Sequence, residues 1–185
     1  MFIRAVIRNA QLAGLDDQNE RARSSPLETQ MREHLWCQLA LLDLRTTEAQ
    51  GSRPMIPSFE NDALPWNTDD HLLAQSPLQD SEGQWTDSTF SLIRYKCYEV
   101  HRDILRAKED IMQGRTSLPT VAASIAAKIE RIDDIYLKHL DEKVAVQRCA
   151  KPVGRLLMAR LDCMLFQDEI PPTRRSEDDI RLRDR

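Results

Sequence analysis

Apolar residues recur in steps of three and four along five stretches of this chain, the spacing that lines one side of an α-helix. The first stretch carries Ile3, Val6, Ile7, Ala10 and Ala13, and Gly14 stands where a helix would stop. A polar segment, Asp16 to Ser25, separates it from the second. That helix is announced by Ser25-Pro26-Leu27-Glu28, in which serine caps, proline opens the first turn and Glu28 supplies the capping-box acid. Leu27, Met31, Leu35, Leu39 and Leu42 then repeat along one side, with Trp36 and Leu44 widening the face. The pattern predicts a central helix that buries this stripe, Trp36 included.

From Gly51 to Trp85 the period is lost. Pro54, Pro57, Pro65 and Pro77 forbid a continuous helix, and isolated apolar residues (Met55, Ile56, Phe59, Leu64, Trp66, Leu72) predict a loop pinned to the domain surface. Beyond Thr86-Asp87-Ser88, each able to cap, Phe90, Ile93, Cys97, Val100, Ile104, Ala107 and Ile111 mark a long helix. Gly114-Arg115-Thr116 breaks it, and Leu118, Val121, Ile125, Ile129, Ile132, Tyr136 and Leu140 mark the next. Two striped helices on a short joint predict an antiparallel hairpin. A last helix carries Val146, Cys149, Val153, Leu156, Leu157, Leu161 and Met164, with a bend at Pro152. The expectation is an all-α, irregular helical bundle with one antiparallel helix hairpin and one long Pro-rich loop. Residues 1–170 form the domain, and 171–185 form a charged, frayed tail. No internal repeat at a fixed period is present.

Composition sharpens this picture in three respects. With 41% hydrophobic residues in 185, the chain is long and apolar enough for one core, and 30% charged residues with only 5 glycines favour helices over sheet. A formal net charge of −4 opposes nucleic-acid binding, which draws its affinity from Lys and Arg on phosphates. The densest basic groups, Arg174-Arg175 and Arg181, Arg183, Arg185, are interrupted by acids and read as solvated surface. No run is apolar enough for a signal or a membrane helix, so an intracellular, soluble protein is expected.

The search for chemistry is brief. Cys37, Cys97, Cys149 and Cys163 lack Cys-x-x-Cys spacing, and the last three fall in apolar stripes, which predicts reduced thiols packed in the core. His34, His71, His101 and His139 never pair at ligand spacing. Asp69, Asp70 and His71 form an acidic loop read as solvated. Asp133-Asp134 and Asp178-Asp179 are chain neighbours whose side chains diverge, so neither pair makes an acid/base couple. No nucleophile elbow, phosphate loop or zinc-protease motif occurs. No catalytic, cofactor-binding or metal-ligating residue is expected, and the chain is not read as an enzyme. Trp36 is assigned to the core; Trp66 and Trp85 bracket the loop as anchors or ligand contacts.

Several motifs, in order, carry a family resemblance. Met31-Arg32-Glu33-His34-Leu35-Trp36-Cys37-Gln38-Leu39, followed by Leu42-Asp43-Leu44-Arg45, resembles the signature of the fungal-specific transcription factor domain. That domain is the middle homology region of zinc binuclear cluster regulators. Ala5 to Leu15 looks like its upstream helix. Phe59, Leu64-Pro65, Asn67, Asp69-Asp70 and Leu72 look like its Phe-Asp-x-x-Leu-Pro-x-Asn-x-x-Asp segment, and Thr86 to Tyr95 like the next helix start. Glu33, His34 and Cys37 replace the family's usual Arg, Arg and Trp, and the six-cysteine zinc cluster is absent. The resemblance implies an internal piece of a nuclear transcription regulator lacking its DNA-reading part, of a family that governs nutrient-use or secondary-metabolite gene clusters. Its partners would be proteins, or a second copy, meeting exposed helix faces; a small-molecule effector is also implied. The alternative is an accessory helical protein or enzyme of a fungal biosynthetic gene cluster.

Overall fold

The computed structural model describes residues 2–56, 64–74, 81 and 83–167. Pro57, Phe59 and Pro77 of the loop and the 171–185 tail, with its arginines and Asp178-Asp179, lie outside the described residues. Those described form helices α1 (Phe2–Leu12), α2 (Gln18–Arg23), α3 (Pro26–Gln50), α4 (Thr89–Met112), α5 (Leu118–Ile132) and α6 (Ala145–Phe166), with no strand among them. The all-α expectation therefore holds. The polar spacer differs from expectation, since it contains the short helix α2, whose start is fixed by Asp17 accepting from the Asn19 amide at 2.8 Å.

Local signals set most helix ends. Gly14 stops α1 at φ 70°, with the Leu15 amide reaching back to the Ala10 carbonyl at 3.0 Å. At α3 the capping box is complete: Ser25 Oγ accepts from the Glu28 amide at 3.4 Å, and the Glu28 carboxylate accepts from the Ser25 amide at 2.9 Å. These bonds hold the Glu28 carboxyl below the ordinary carboxylate range. Ser25→Ala is expected to destabilise the protein by about 1 kcal/mol, measurable by urea denaturation. Gly51, at φ 63°, closes the other end of α3.

Two apolar clusters share α4. Leu92, Tyr95 and Tyr98 pack with Ile7 and Ala10 of α1, Trp36, Cys37, Ala40 and Leu44 of α3, and Ile56 of the loop. Ile93, Cys97, Val100 and Ile104 pack with Val121, Ile125 and Ile132 of α5 and Met158, Leu161 and Leu165 of α6. The Lys128–Asp103 ion pair between α4 and α5 shows that these two helices run antiparallel about the Gly114 turn. The expected α4 stripe is thus buried from Ile93 to Ile104, and a second face beside it, with Tyr95, Tyr98 and His101, is buried as well.

Helix α5 stops earlier than its apolar spacing suggests. After Ile132 the chain winds into a wide π turn, Asp133–Leu137, closed by the Lys138 amide on the Asp133 carbonyl at 2.8 Å. The extra residue in that turn swings Leu137 into the core, fully buried. It lies against Gly154 of α6 so closely that a β-carbon there would sit 2.8 Å from both Leu137 methyl groups. Gly154→Ala is expected to destabilise by roughly 1–3 kcal/mol, overpacking outweighing the better helix propensity of alanine. In a Leu137→Ala background, thermal melts should show the same substitution to be neutral or stabilising.

Two stripes are turned relative to expectation. On α3 the interior side carries Thr29, Gln30, Glu33, Trp36, Cys37, Ala40, Asp43, Leu44 and Thr47. Leu27, Met31, Leu35 and Leu42 are 48%, 55%, 53% and 54% exposed. On α6 the interior side is Ala150, Gly154, Met158, Leu161 and Leu165, leaving Val146, Val153 and Leu156 outside. Both helices have apolar residues on opposite sides, so period alone could not orient them. The thiols follow suit. Cys97 is buried, and burial pushes it up to about 12, whereas Cys149 and Cys163 are exposed rather than packed in the core.

Candidate functional site

The inward side of α3 is polar because the loop supplies partners for it. Gln30 forms a two-way pair with Trp66: its Nε2 donates to the Trp66 carbonyl at 2.9 Å and its Oε1 accepts from the Trp66 amide at 2.9 Å. Trp66 thus anchors the loop through its backbone. Gln30 Nε2 also donates to Ser88 Oγ at 3.2 Å, at the start of α4. Beside it, His34 Nδ1 lies 3.1 Å from the Tyr95 hydroxyl, which accepts from Gln38 Nε2 at 3.0 Å. Desolvation holds the His34 pKa below its ordinary value, although Asp70 pulls the other way. Burial likewise raises Tyr95 to about 12.

Asn67 is the second hub. Its Nδ2 donates to the carbonyls of Ser81 and Gln84 at 2.8 and 2.9 Å, and its Oδ1 accepts from Thr86 Oγ1 and Thr89 Oγ1 at 2.7 and 2.8 Å. One buried amide therefore uses both donors and both acceptor lone pairs to tie the loop to the first turn of α4. The α4 start differs from a simple serine cap: Thr86 Oγ1 accepts from the Ser88 amide at 3.2 Å, while Ser88 at the cap position makes no capping bond of its own. Asp69 and Asp87 reinforce the join, since Asp69 accepts from the Asp87 amide and Asp87 from the Asp70 amide, at 3.0 and 3.1 Å. The acidic loop is thereby accounted for by backbone amides. Further along α3, the buried Asp43 accepts from the Ile56 amide at 2.8 Å.

A charged junction joins three helices. Arg160 of α6 donates to both carboxylate oxygens of Glu48 of α3 at 2.8 Å, and His101 Nε2 of α4 approaches the same carboxylate at 3.1 Å. The His101 approach is off the N–H direction, so it is an electrostatic contact and not a hydrogen bond. Burial holds the His101 pKa well down, to about 4, against the pull of Glu48. A histidine that stays neutral when folded but protonates near its ordinary value when unfolded makes stability rise with pH between those two values. Acidification from pH 7 to pH 5 should therefore cost about 2 kcal/mol through His101. His101→Gln should flatten that dependence in urea titrations, leaving the smaller part due to His34.

Each of these groups is used within the fold. Among the described residues, no three His, Cys, Asp or Glu side chains converge where a metal ion could sit, and no helix is long and apolar enough to cross a membrane. His71 and His139 are exposed, and Asp133-Asp134 open the π turn. Large apolar side chains also stand exposed at the surface. The outer faces of α3 and α6 carry several of them, and others, such as Phe2, Leu12 and Met112, lie at helix ends. No protein-family model, curated protein or solved structure matches the chain.

Proposed function

We propose that this chain is a regulatory helical domain of the kind found in the middle homology region of fungal zinc-cluster transcription factors. It acts in the nucleus by binding another protein, not by catalysis. The observation that carries the reading is the inversion of α3. Glutamine, aspartate, glutamate and threonine face inward there, while Leu27, Met31, Leu35 and Leu42 line the outside. Exposed leucine and methionine side chains at steps of four and seven are what a partner's groove reads in helix recognition. Wetting them costs stability that docking returns.

A second feature supports the family reading. The segments that carry the resemblance touch one another: Asn67 with Thr86 and Thr89, and Gln38 with Tyr95. Matched positions that converge in space point to one inherited joint between loop and helices.

The test is a reporter assay with the full chain fused to an unrelated DNA-binding domain. The fusion is expected to change reporter transcription, and Leu35→Asp with Leu42→Asp to abolish the change without altering expression level or helical content. A fusion that leaves transcription at the level of the bare DNA-binding domain, or a double variant as active as the parent, would count against the proposal.

A further inference from the structure

Turning the polar side of α3 inward sorts its charges as well as its leucines. Each of the four carboxylates of the helix is taken up away from the outer row. Glu33 and Asp43 are buried, at 4% and 1% exposure. Arg160 holds both oxygens of Glu48 at 2.8 Å, and Glu28 accepts from the Ser25 amide at 2.9 Å. The two arginines of α3 instead border the leucines. Arg32 precedes Leu35 by three residues and Arg45 follows Leu42 by three, the spacing of neighbours on a helix surface. Arg32 donates to a neutral group, the Gly14 carbonyl, at 3.3 Å. Arg45, with its side chain 50% exposed, reaches the Glu48 carboxylate at 3.5 Å, well beyond the bond that Arg160 makes there.

Helix α1, packed against α3, adds to the same sign. Arg4 and Arg8 are exposed on it, and no acid occurs from Phe2 to Leu12. The other acids ahead of α3, Asp16, Asp17 and Glu20, lie in and just before α2, toward the Leu27 end. In a chain of formal net charge −4, the Leu35–Leu42 stretch is therefore a place where the local sign is reversed. Given the docking role of this face proposed above, we infer that its occupant is an acidic amphipathic helix of a partner protein. The partner's apolar side lies on the leucines, and its Asp and Glu side chains meet Arg32 and Arg45. Those two arginines are about 20 Å apart along the axis, so roughly four turns of partner helix span them. Apolar anchors hold such a helix, while rim charges choose it and make its binding depend on salt. Screening over about 8 Å at physiological ionic strength lets the nearby arginines, not the net charge of the chain, decide the sign.

Two synthetic four-turn helices test this, identical in their leucine positions and carrying either glutamate or lysine at the flanking positions. Fluorescence anisotropy with the full chain is expected to show the glutamate helix binding about tenfold tighter at low salt, with the preference shrinking as salt is raised. Arg45→Glu should weaken the glutamate helix severalfold and strengthen the lysine helix, at unchanged helical content. Equal binding of the two helices, tighter binding of the lysine helix, or no binding of the glutamate helix overturns the acidic partner. Recovery of the chain on phosphatidylserine vesicles without binding of the glutamate helix overturns it too. The preference is read on the parent chain, so it does not depend on how any variant folds. A lysine helix that binds tighter and is lost on Leu35→Asp with Leu42→Asp would refute the charge of the partner and leave the docking face intact. Failure of the reporter assay would remove the face itself.

Discussion

Asn67→Ala is expected to lower the unfolding free energy by roughly 2–4 kcal/mol, a large effect for one polar side chain. A single hydrogen bond contributes about 1 kcal/mol net, and the Asn67 side chain makes four with described residues. The deletion is asymmetric in its consequences. The carbonyls of Ser81 and Gln84 can turn to water, but the Thr86 and Thr89 hydroxyls, buried at the head of α4, would exchange 2.7 and 2.8 Å bonds for longer ones, to each other at 3.3 Å and from Thr89 to the Gln84 carbonyl at 3.4 Å. Asn67→Asp is the sharper comparison, because it keeps the acceptor side and loses both donors. Urea denaturation of the parent and both variants should rank them parent, then Asp and Ala well below. A shift under about 0.5 kcal/mol for Asn67→Ala, the range of ordinary surface substitutions, would mean that the loop is held by something else.

Two adjacent residues of α3 should respond in opposite ways. Trp36 is 5% exposed and packs in the cluster with Ile7, Leu92 and Tyr98, so Trp36→Ala should cost roughly 3–5 kcal/mol. Leu35, one position earlier, faces outward, and Leu35→Ala should change monomer stability by about 0.5 kcal/mol or less. Chemical denaturation at low protein concentration checks the pair. Equal costs would place both side chains in the core and remove the basis for the α3 docking face.

The contrast between Leu35 and Trp36 also marks the limit of what periodicity can say. The existence of every long helix was legible, because three- and four-step spacing and the Ser25 and Gly14 signals depend only on neighbours along the chain; the short α2, which has no apolar stripe, was not. Helix orientation was legible on α5, where Val121, Ile125 and Ile132 are buried as their spacing implies. It was illegible on α3 and α6, whose apolar residues lie on both sides. On α3 the deciding term is the need of Trp66 and Ile56 backbone amides for Gln30 and Asp43, which no local pattern encodes. The π turn escaped notice for a related reason. It takes its value from Leu137 meeting Gly154, seventeen residues on. For the candidate surface, the residues were visible and their roles were not: Cys149 and Leu156 read as core until α6 was oriented. Leu27 and Leu35 likewise read as the buried stripe of the very helix that displays them.

The sharing of α4 between two apolar clusters bears on how the molecule opens. Contacts of the second cluster join helices that follow one another in sequence, so loop closure asks little of the chain there. The first cluster is closed by bonds across long gaps, Gln30 with Trp66, His34 with Tyr95 and Glu48 with Arg160. Formation of the α4–α6 half should therefore precede docking of α1 and α3, and the reverse order should govern local unfolding. Amide hydrogen exchange would then be slowest in α4, which can open only when both halves have let go, and faster in α1 and α3. A partner gripping the outer face of α3 could detach that half as a unit without melting the rest. In that case the protein would give up its own tertiary contacts one cooperative block at a time.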